Sequence, residues 1–337
     1  MAKMNIALDL GTSFTSIFVS GNGIVLHEPS VIAYFDDGGR RRTRAVGAEA
    51  YEMMGRAPEK TKTVCPIIDG AIKDPDACAD MLGEFVKRIL PESYLIKPKV
   101  RCVLGVPVGI SVDERMMYEE VLMRSGIDEI SMINSVMLSA IGVEMPVSAA
   151  FGGVVVSIGG GATEIAIISL CGIKAGCGIT IGGDMIDRTL MDSISGIYQL
   201  NVGRSTARQV KERVCSLIRN DCASTSISGI DIETGNIRTS TASSDELFGV
   251  VYDYYKNITD AVEGVINTCT PTIAAEINRY GITVVGGGAQ MPGLAELMSR
   301  RLNLRVQIAT DAQYATVLGG GKLLSDKYLL DDILAHA

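Results

Sequence analysis

The chain has 337 residues, 47% of them hydrophobic and 21% charged, with a formal net charge of −8. Its length and apolar content allow two domains with large cores and exclude a disordered or low-complexity chain. The acid excess excludes nucleic acid as the main partner, because a phosphate backbone is met by a basic face.

In chain order, residues 5–8 read as a short strand, Asp9-Leu10-Gly11-Thr12-Ser13 as a turn, and 15–19 as the return strand. Three strands are expected within residues 1–33, closing with Val31-Ile32-Ala33. Asp36-Asp37-Gly38-Gly39 is a turn, residues 40–44 are a basic surface stretch, and 45–55 are a small excursion. Residues 74–90 are helical, with Met81, Leu82, Phe85, Val86, Ile89 and Leu90 at helical spacing. Residues 91–98 form a loop in which Tyr94-Leu95-Ile96 lies between prolines, with Lys97, Lys99 and Arg101 beside it. Such apolar side chains either tuck under the domain or, flanked by cations, suit an anionic bilayer surface. A strand follows at 101–105. Ser111 and Glu114 then make a capping box for a helix over 112–125, which Gly126 can stop. A strand over 130–133 runs into Asn134-Ser135 and a helix over 136–141.

The second half begins near Val147 and is built around VVVSIGGGATEIAIISL, residues 154–170. Two β-branched strands, 154–158 and 164–170, flank Gly159-Gly160-Gly161-Ala162-Thr163. Glycines here permit positive φ and leave no Cβ in a ligand's way. Successive N–H groups in such a turn form an anion-binding concavity. A strand, not a helix, comes next, which excludes the P-loop and the dinucleotide fingerprint. The bland alternative for the turn taken alone is a sharp hairpin without a ligand. The matching hairpin in residues 5–19 favours two related halves closing on one nucleotide.

Gly182-Gly183-Asp184 starts a helix to Tyr198, with Asp184 favoured by the helix dipole. A helix over 205–219 carries Lys211-Glu212, a pair that by itself reads as a solvated face. Residues 230–237 read as an exposed hairpin around Thr234-Gly235-Asn236, set in a Ser/Thr-rich loop. Residues 246–269 form one long helix with a broad apolar face. The strand 282–285 leads into Gly286-Gly287-Gly288 and a helix near Pro292, an arrangement that lets a base or ribose approach the backbone. A strand over 306–309, Gly319-Gly320-Gly321 and a final helix close the chain. Strand–helix alternation gives an α/β fold class, and the repeated order of elements gives a duplicated fold.

The eight cysteines form no CxxC pair and read as reduced thiols of a cytosolic protein. With only His27 and His336 present, histidine catalysis and histidine metal sites are not expected. No apolar run is long enough for a spanning helix, and MAKMNIALDL enters a strand without the pattern of a leader.

Asp9-Leu10-Gly11-Thr12, Ile158-Gly159-Gly160-Gly161 and Val285-Gly286-Gly287-Gly288 resemble the phosphate and adenosine loops of the actin / heat-shock chaperone / sugar kinase superfamily. Finer matches resemble one branch, the bacterial actin MreB/Mbl family. They include Gly23-Ile24-Val25-Leu26-His27-Glu28-Pro29-Ser30-Val31, Ala45-Val46-Gly47, Met54-Gly55-Arg56-Ala57-Pro58 and Asp69-Gly70. They continue through Val106-Pro107-Val108-Gly109, Pro146-Val147-Ser148, Ile181-Gly182-Gly183-Asp184 and Gly319-Gly320-Gly321-Lys322. The resemblance runs from about residue 5 to about residue 325 and is weakest between about 219 and 245.

That resemblance implies a duplicated actin-like (ribonuclease H-like) α/β fold with a nucleotide cleft between two domains. Domain I would comprise residues 1–32, 66–145 and 311–337 with a small subdomain at 33–65; domain II would comprise 146–181 and 245–310 with a small subdomain at 182–244. The implied cofactors are ATP or ADP with Mg²⁺. Phosphates would lie on Gly11, Thr12 and Ser13 and on Gly159, Gly160, Gly161, Ala162 and Thr163. Adenosine would meet Lys211, Glu212, Gly286, Gly287, Gly288 and Ala289, and Asp9 would hold Mg²⁺ through water.

Three departures bear on hydrolysis. Ser157 stands where the family has Asp, Phe14 where it has Asn, and Asn134 where a Glu positions or activates the attacking water. Asn hydrogen-bonds a water but cannot take its proton, so turnover is expected to be slow or absent. Glu164, near the second loop, is either a partial substitute or an exposed strand-end charge. The resemblance implies a cytoplasmic cytoskeletal protein that polymerises with itself and lies at the inner face of the membrane through Tyr94, Leu95 and Ile96. It implies that the protein guides cell shape with cell-wall elongation proteins. An alternative is a hydrolysis-deficient scaffold assembled with a paralogue. A kinase or chaperone ATPase would need a further catalytic carboxylate or a peptide-binding domain, which these 337 residues do not display.

Overall fold

The computed structural model describes residues 3–37, 40–90 and 98–336. The first half opens on a meander of β1 (Lys3–Leu10), β2 (Phe14–Val19) and β3 (Gly23–Pro29), with Ala7 opposite Phe18 and Ser16 opposite His27. Ile6, Leu8 and Ile17 are fully buried under it. A small sheet of β4 (Ile32–Asp37), β5 (Arg40–Val46) and β6 (Thr61–Val64) follows, with α1 (Ala48–Glu52) between its last two strands. Val31-Ile32-Ala33 therefore leads into a fourth strand, and the basic stretch is itself a strand with Arg41, Arg42 and Arg44 exposed.

The two-residue strands β7 (Ile67–Ile68) and β8 (Ala71–Ile72) make a tight hairpin whose turn residues, Asp69 and Gly70, both have positive φ. α2 (Pro75–Ile89) is capped by Asp74 and buries Met81, Leu82, Phe85 and Val86. Then come β9 (Lys99–Val106), α3 (Val112–Arg124), β10 (Glu129–Asn134) and α4 (Ser135–Gly142). The Ser111 capping box is present as its sequence spacing demands.

The second half repeats this order: β11 (Gly153–Ile158), β12 (Thr163–Ser169) and β13 (Gly172–Ile179) form a meander. An insertion follows, comprising α5 (Gly183–Tyr198), β14 (Leu200–Asn201), α6 (Arg204–Val214), β15 (Ser224–Asp231) and β16 (Ile237–Ser243). The half closes with α7 (Ser244–Ile266), α8 (Pro271–Tyr280), β17 (Ile282–Val285), α9 (Leu294–Leu302), β18 (Val306–Ile308), α10 (Ala315–Leu323) and α11 (Lys327–Leu334). The two main sheets run β10-β9-β1-β2-β3 and β18-β17-β11-β12-β13, the same topology twice. In each, the meander strands are antiparallel and the last two strands join in parallel.

Between the sheets, α4 packs on α10 at glycine contacts. A Cβ on Gly142 would strike Ala315 O, and one on Gly319 would strike Leu138 O. This contact needs bare backbone at Gly319, while a Cβ on Gly320 would strike Ala7 and one on Gly321 the Phe18 ring, which is why three glycines lie inside a helix despite their poor helix propensity.

Three readings from sequence are corrected. The helix expected to reach residue 219 ends at Val214, because Cys215 turns extended and the Leu217 N–H binds Pro292 O at 2.9 Å. The Ser/Thr-rich segments expected as loop are β15 and β16, paired from Ser224–Ser243 to Ile230–Ile237 over buried Ile227 and Ala242. The helix expected to reach Cys269 ends at Ile266, and Thr270 with Pro271 starts α8. Among the described residues, no helix is long and apolar enough to cross a membrane. Tyr94, Leu95 and Ile96 lie outside the described residues.

Candidate functional site

A cleft of about 580 Å³ lies between the halves and is walled by both glycine hairpins. The two loops close alike: the Gly11 N–H binds Phe14 O at 3.1 Å, and the Gly159 N–H binds Ala162 O at 2.9 Å. Among the described residues, the N–H groups of Thr12, Ser13, Gly160, Gly161 and Ala162 make no hydrogen bond. Such a row of free donors from two facing turns is a polyanion cradle. The loops touch so closely that a Cβ on Gly160 would strike Ser13 Oγ, and one on Gly161 would strike Thr12 Oγ1. Gly70 N–H donates to Thr12 Oγ1 at 3.0 Å, setting the β7–β8 turn over the loops.

The N-terminus of α5 is fastened to the second loop. Gly183 N–H binds Gly159 O at 2.9 Å and Asp184 N–H binds Gly160 O at 2.7 Å. The Asp184 carboxylate is buried, paired with Arg204 and with Arg208 at 3.0 Å, and accepts the Ser13 hydroxyl at 3.2 Å. Its role thus extends beyond the dipole of its own helix to a contact between the halves. Lys211 lines the cleft, with Nζ on Asp187 at 2.6 Å and on Gly183 O at 3.1 Å. Glu212 lines the same wall, as do Gly286, Gly287 and Gly288. Tyr255 OH fixes the last of these glycines, donating to Gly288 O at 2.8 Å.

Four expected site residues sit differently. Thr163 is buried and gives its hydroxyl to Ile181 O at 2.6 Å, and Ala289 is buried in the core; neither lines the cleft. Asn134 is also absent from the wall, whereas Ser135 lines it. Asn134 is the last residue of β10 and Ser135 the first of α4, so the backbone changes course between the two side chains. Glu164 is not an exposed strand-end charge. Its Oε1 accepts the Val108 N–H at 2.7 Å and its Oε2 accepts the Ser135 hydroxyl. Burial pushes the Glu164 carboxyl above its ordinary range. Burial and the neighbouring Glu164 charge push Asp9 up to about 7.

Sequence reasoning missed an aromatic stack beside the first loop, of which Phe14 and His27 line the cleft. Phe14 stacks on His27 with ring centroids 4.6 Å apart, and Tyr314 meets His27 edge-on at 5.0 Å. The Ser16 hydroxyl pairs with His27 Nδ1 at 2.9 Å, and burial lowers the His27 pKa. The Ser16–His27 register of β2 and β3 was the one available clue, and it needed the pairing to be known.

Two halves of one ribonuclease H-like topology, with glycine hairpins facing across a cleft, define an actin-like protein. MreB5 of Spiroplasma citri bound to AMPPNP superposes with a TM-score of 0.90 at 29% identity, covering 100% of both chains. The MamK double helical filament subunit superposes at 0.80 with 20% identity, covering 96% of this chain and 99% of that one, a likeness of fold. The cell shape-determining protein MreB of Escherichia coli K12 is 34% identical over 327 residues, 96% of this chain and 94% of its own. The cell shape-determining protein Mbl of Bacillus subtilis is 32% identical over 329 residues, 97% of each. The MreB/Mbl protein family model matches residues 3–331, and the chain belongs to that family.

Proposed function

We propose that the chain is a cell shape-determining, actin-like cytoskeletal protein that binds ATP and ADP in its cleft and polymerises with itself. The observation that carries the reading is the facing pair of loops with free N–H groups on Thr12, Ser13, Gly160, Gly161 and Ala162. The chain's relatives support it: MreB5 of Spiroplasma citri binds ADP and AMPPNP, and the Escherichia coli and Bacillus subtilis relatives determine cell shape. Asp9 fits a divalent ion held through water, since a carboxylate lining the cleft beside the phosphate cradle supplies a hard oxygen donor. Bound there, Mg²⁺ would neutralise phosphate charge.

Phosphates rest on the loop N–H groups, with Lys211, Glu212 and Gly286 to Gly288 walling the space for adenosine. Ser135 and Ser157, both in the cleft wall, carry no proton-accepting carboxylate, and Glu164 has both oxygens engaged. Hydrolysis is therefore slow. The polymer sits at the inner face of the membrane through Tyr94, Leu95 and Ile96 and organises cell-wall synthesis. Three apolar side chains bind weakly alone and strongly when repeated along a filament.

Pelleting and negative-stain microscopy in ATP, in ADP and without nucleotide, with and without anionic liposomes, tests the reading. Filaments that depend on ATP are expected, and a Tyr94→Ser, Leu95→Ser, Ile96→Ser variant should form them yet fail to float with liposomes. Monomers under every condition would remove the reading. The wall serines favour a second one, a nucleotide-locked scaffold that assembles with a more active paralogue.

A further inference from the structure

A polyphosphate needs positive charge, and the loops that cradle it have none: residues 9–14 and 157–164 contain Asp9 and Glu164 and neither Lys nor Arg. Among the described residues lining the cleft, the Lys and Arg side chains are Lys211 and Arg208. Lys211 is committed to Asp187 and to a backbone carbonyl of α5.

Arg208 is placed differently. It lies one turn before Lys211 on α6, and its Nη2 reaches the Ser13 hydroxyl of the first phosphate loop at 3.4 Å. The same Nη2 is 3.0 Å from Asp184, and Nε is 3.2 Å from Asp187. Its guanidinium carbon sits 5.7 Å from the centre of the Tyr51 ring, on α1 of the other half. The ring and the two carboxylates fix the plane of the guanidinium beside Ser13, which itself touches Gly160 of the second loop. Arg208 thus stands where the two cradles meet. Asp184 has Arg204, and Asp187 has Lys211, so each carboxylate keeps a cation when Arg208 is shared.

We propose that Arg208 is a phosphate-binding residue of the cleft, supplying to the nucleotide's polyphosphate the cation that the two loops lack. A guanidinium offers several donors in a rigid fork, which matches phosphate oxygens better than an ammonium does. The proposal rests on the cleft's holding an adenine nucleotide.

The test is calorimetry on the full chain with ATP, with ADP and, by displacement of a fluorescent ADP analogue, with adenosine, each in magnesium. Arg208→Gln should weaken ATP and ADP by about tenfold or more while leaving adenosine within about twofold. Arg208→Lys should recover part of that loss. An equal loss for all three ligands would assign Arg208 a structural role and overturn the proposal, as would unchanged binding of ATP and ADP. Wild-type protein that binds ADP normally, beside an insensitive variant, would sink this inference and leave the proposed function standing. Wild-type protein that binds no adenine nucleotide would remove both.

Discussion

Glu164 Oε1 accepts the Val108 N–H at 2.7 Å, fastening the second residue of β12 to the loop that follows β9 in the other half. The carboxylate's other oxygen takes the Ser135 hydroxyl at the start of α4. One partly buried side chain therefore ties the two halves at the cleft wall, and its charge acts on Asp9 nearby.

Burial of Asp9, with that charge beside it, makes stability depend on pH. Asp9 is raised from 3.8 to about 7 in the folded protein, so the folded state holds this proton more tightly than the unfolded chain does. For a raised carboxyl, stability is greatest while the group is protonated and is lost as pH climbs from the ordinary value through the folded one. The nucleotide-free protein should melt at progressively lower temperature between about pH 4 and pH 7, with a slope of at most about 1.4 kcal/mol per pH unit from this proton. Asp9→Asn should flatten the profile. A slope that survives the substitution would remove Asp9 as its origin.

Magnesium–nucleotide binding should show the opposite trend. An ion held through Asp9 needs the ionised carboxylate, so protons compete with it below about pH 7. Calorimetry with ADP should give an affinity that rises with pH when magnesium is present and does so far less in Asp9→Asn. Equal pH dependence in the two proteins would place the ion elsewhere.

The loops give a steric prediction. A Cβ on Gly160 would fall on Ser13 Oγ and lies 2.7 Å from Ser13 Cβ, so the two hairpins must part to admit it. Gly160→Ala should weaken ATP and ADP by more than about tenfold while melting close to wild type, because the loop is at the surface of the cleft. Calorimetry beside a melting curve separates these effects, and normal nucleotide affinity would show that the cradle tolerates a wider gap.

Much of this site was legible before any coordinates. Asp9 to Ser13, Gly159 to Ala162 and Gly286 to Gly288 announce themselves, because glycines bounded by β-branched runs leave few other conformations. Side-chain facing at the strand ends was not legible. Asn134 and Ser135 are adjacent, and which one enters the cleft depends on the register of β10 on β9, where Asn134 lies opposite Val106. Arg208 was hidden for a different reason: its partners Ser13 and Tyr51 belong to the other half, far away in sequence. The Ser/Thr-rich strands were misread because their burial rests on two residues, Ile227 and Ala242, rather than on an alternating apolar row.

Asn134 should be dispensable. It makes no capping bond for α4 and is outside the cleft wall. Phosphate release and ADP affinity in Asn134→Ala should stay within about twofold of wild type, whereas removing a water-positioning group costs about 10²–10⁴ in rate. A loss of that size would return the role to Asn134 and mean that the β10–α4 junction rearranges when nucleotide binds.

The strongest stability prediction concerns the crossing of α4 and α10. A Cβ on Gly319 would overlap Leu138 O and come 2.9 Å from the Gly142 N, both main-chain atoms that cannot rotate away. Gly319→Ala must push the helices apart, and with them Val155, Val285 and Ile133 in the core they share. Overpacking with backbone displacement typically costs about 1–3 kcal/mol and more where nothing can yield, so a loss of about 3 kcal/mol or greater is expected in urea unfolding. Gly196→Ala in α5 is the internal comparison, because nothing lies within 4 Å of the added methyl. There alanine should gain about 0.5–1 kcal/mol through helix propensity and lost freedom in the unfolded chain. If Gly319→Ala behaves like Gly196→Ala, the two helices do not meet at bare backbone, and the packing that sets the angle between the two halves must lie elsewhere.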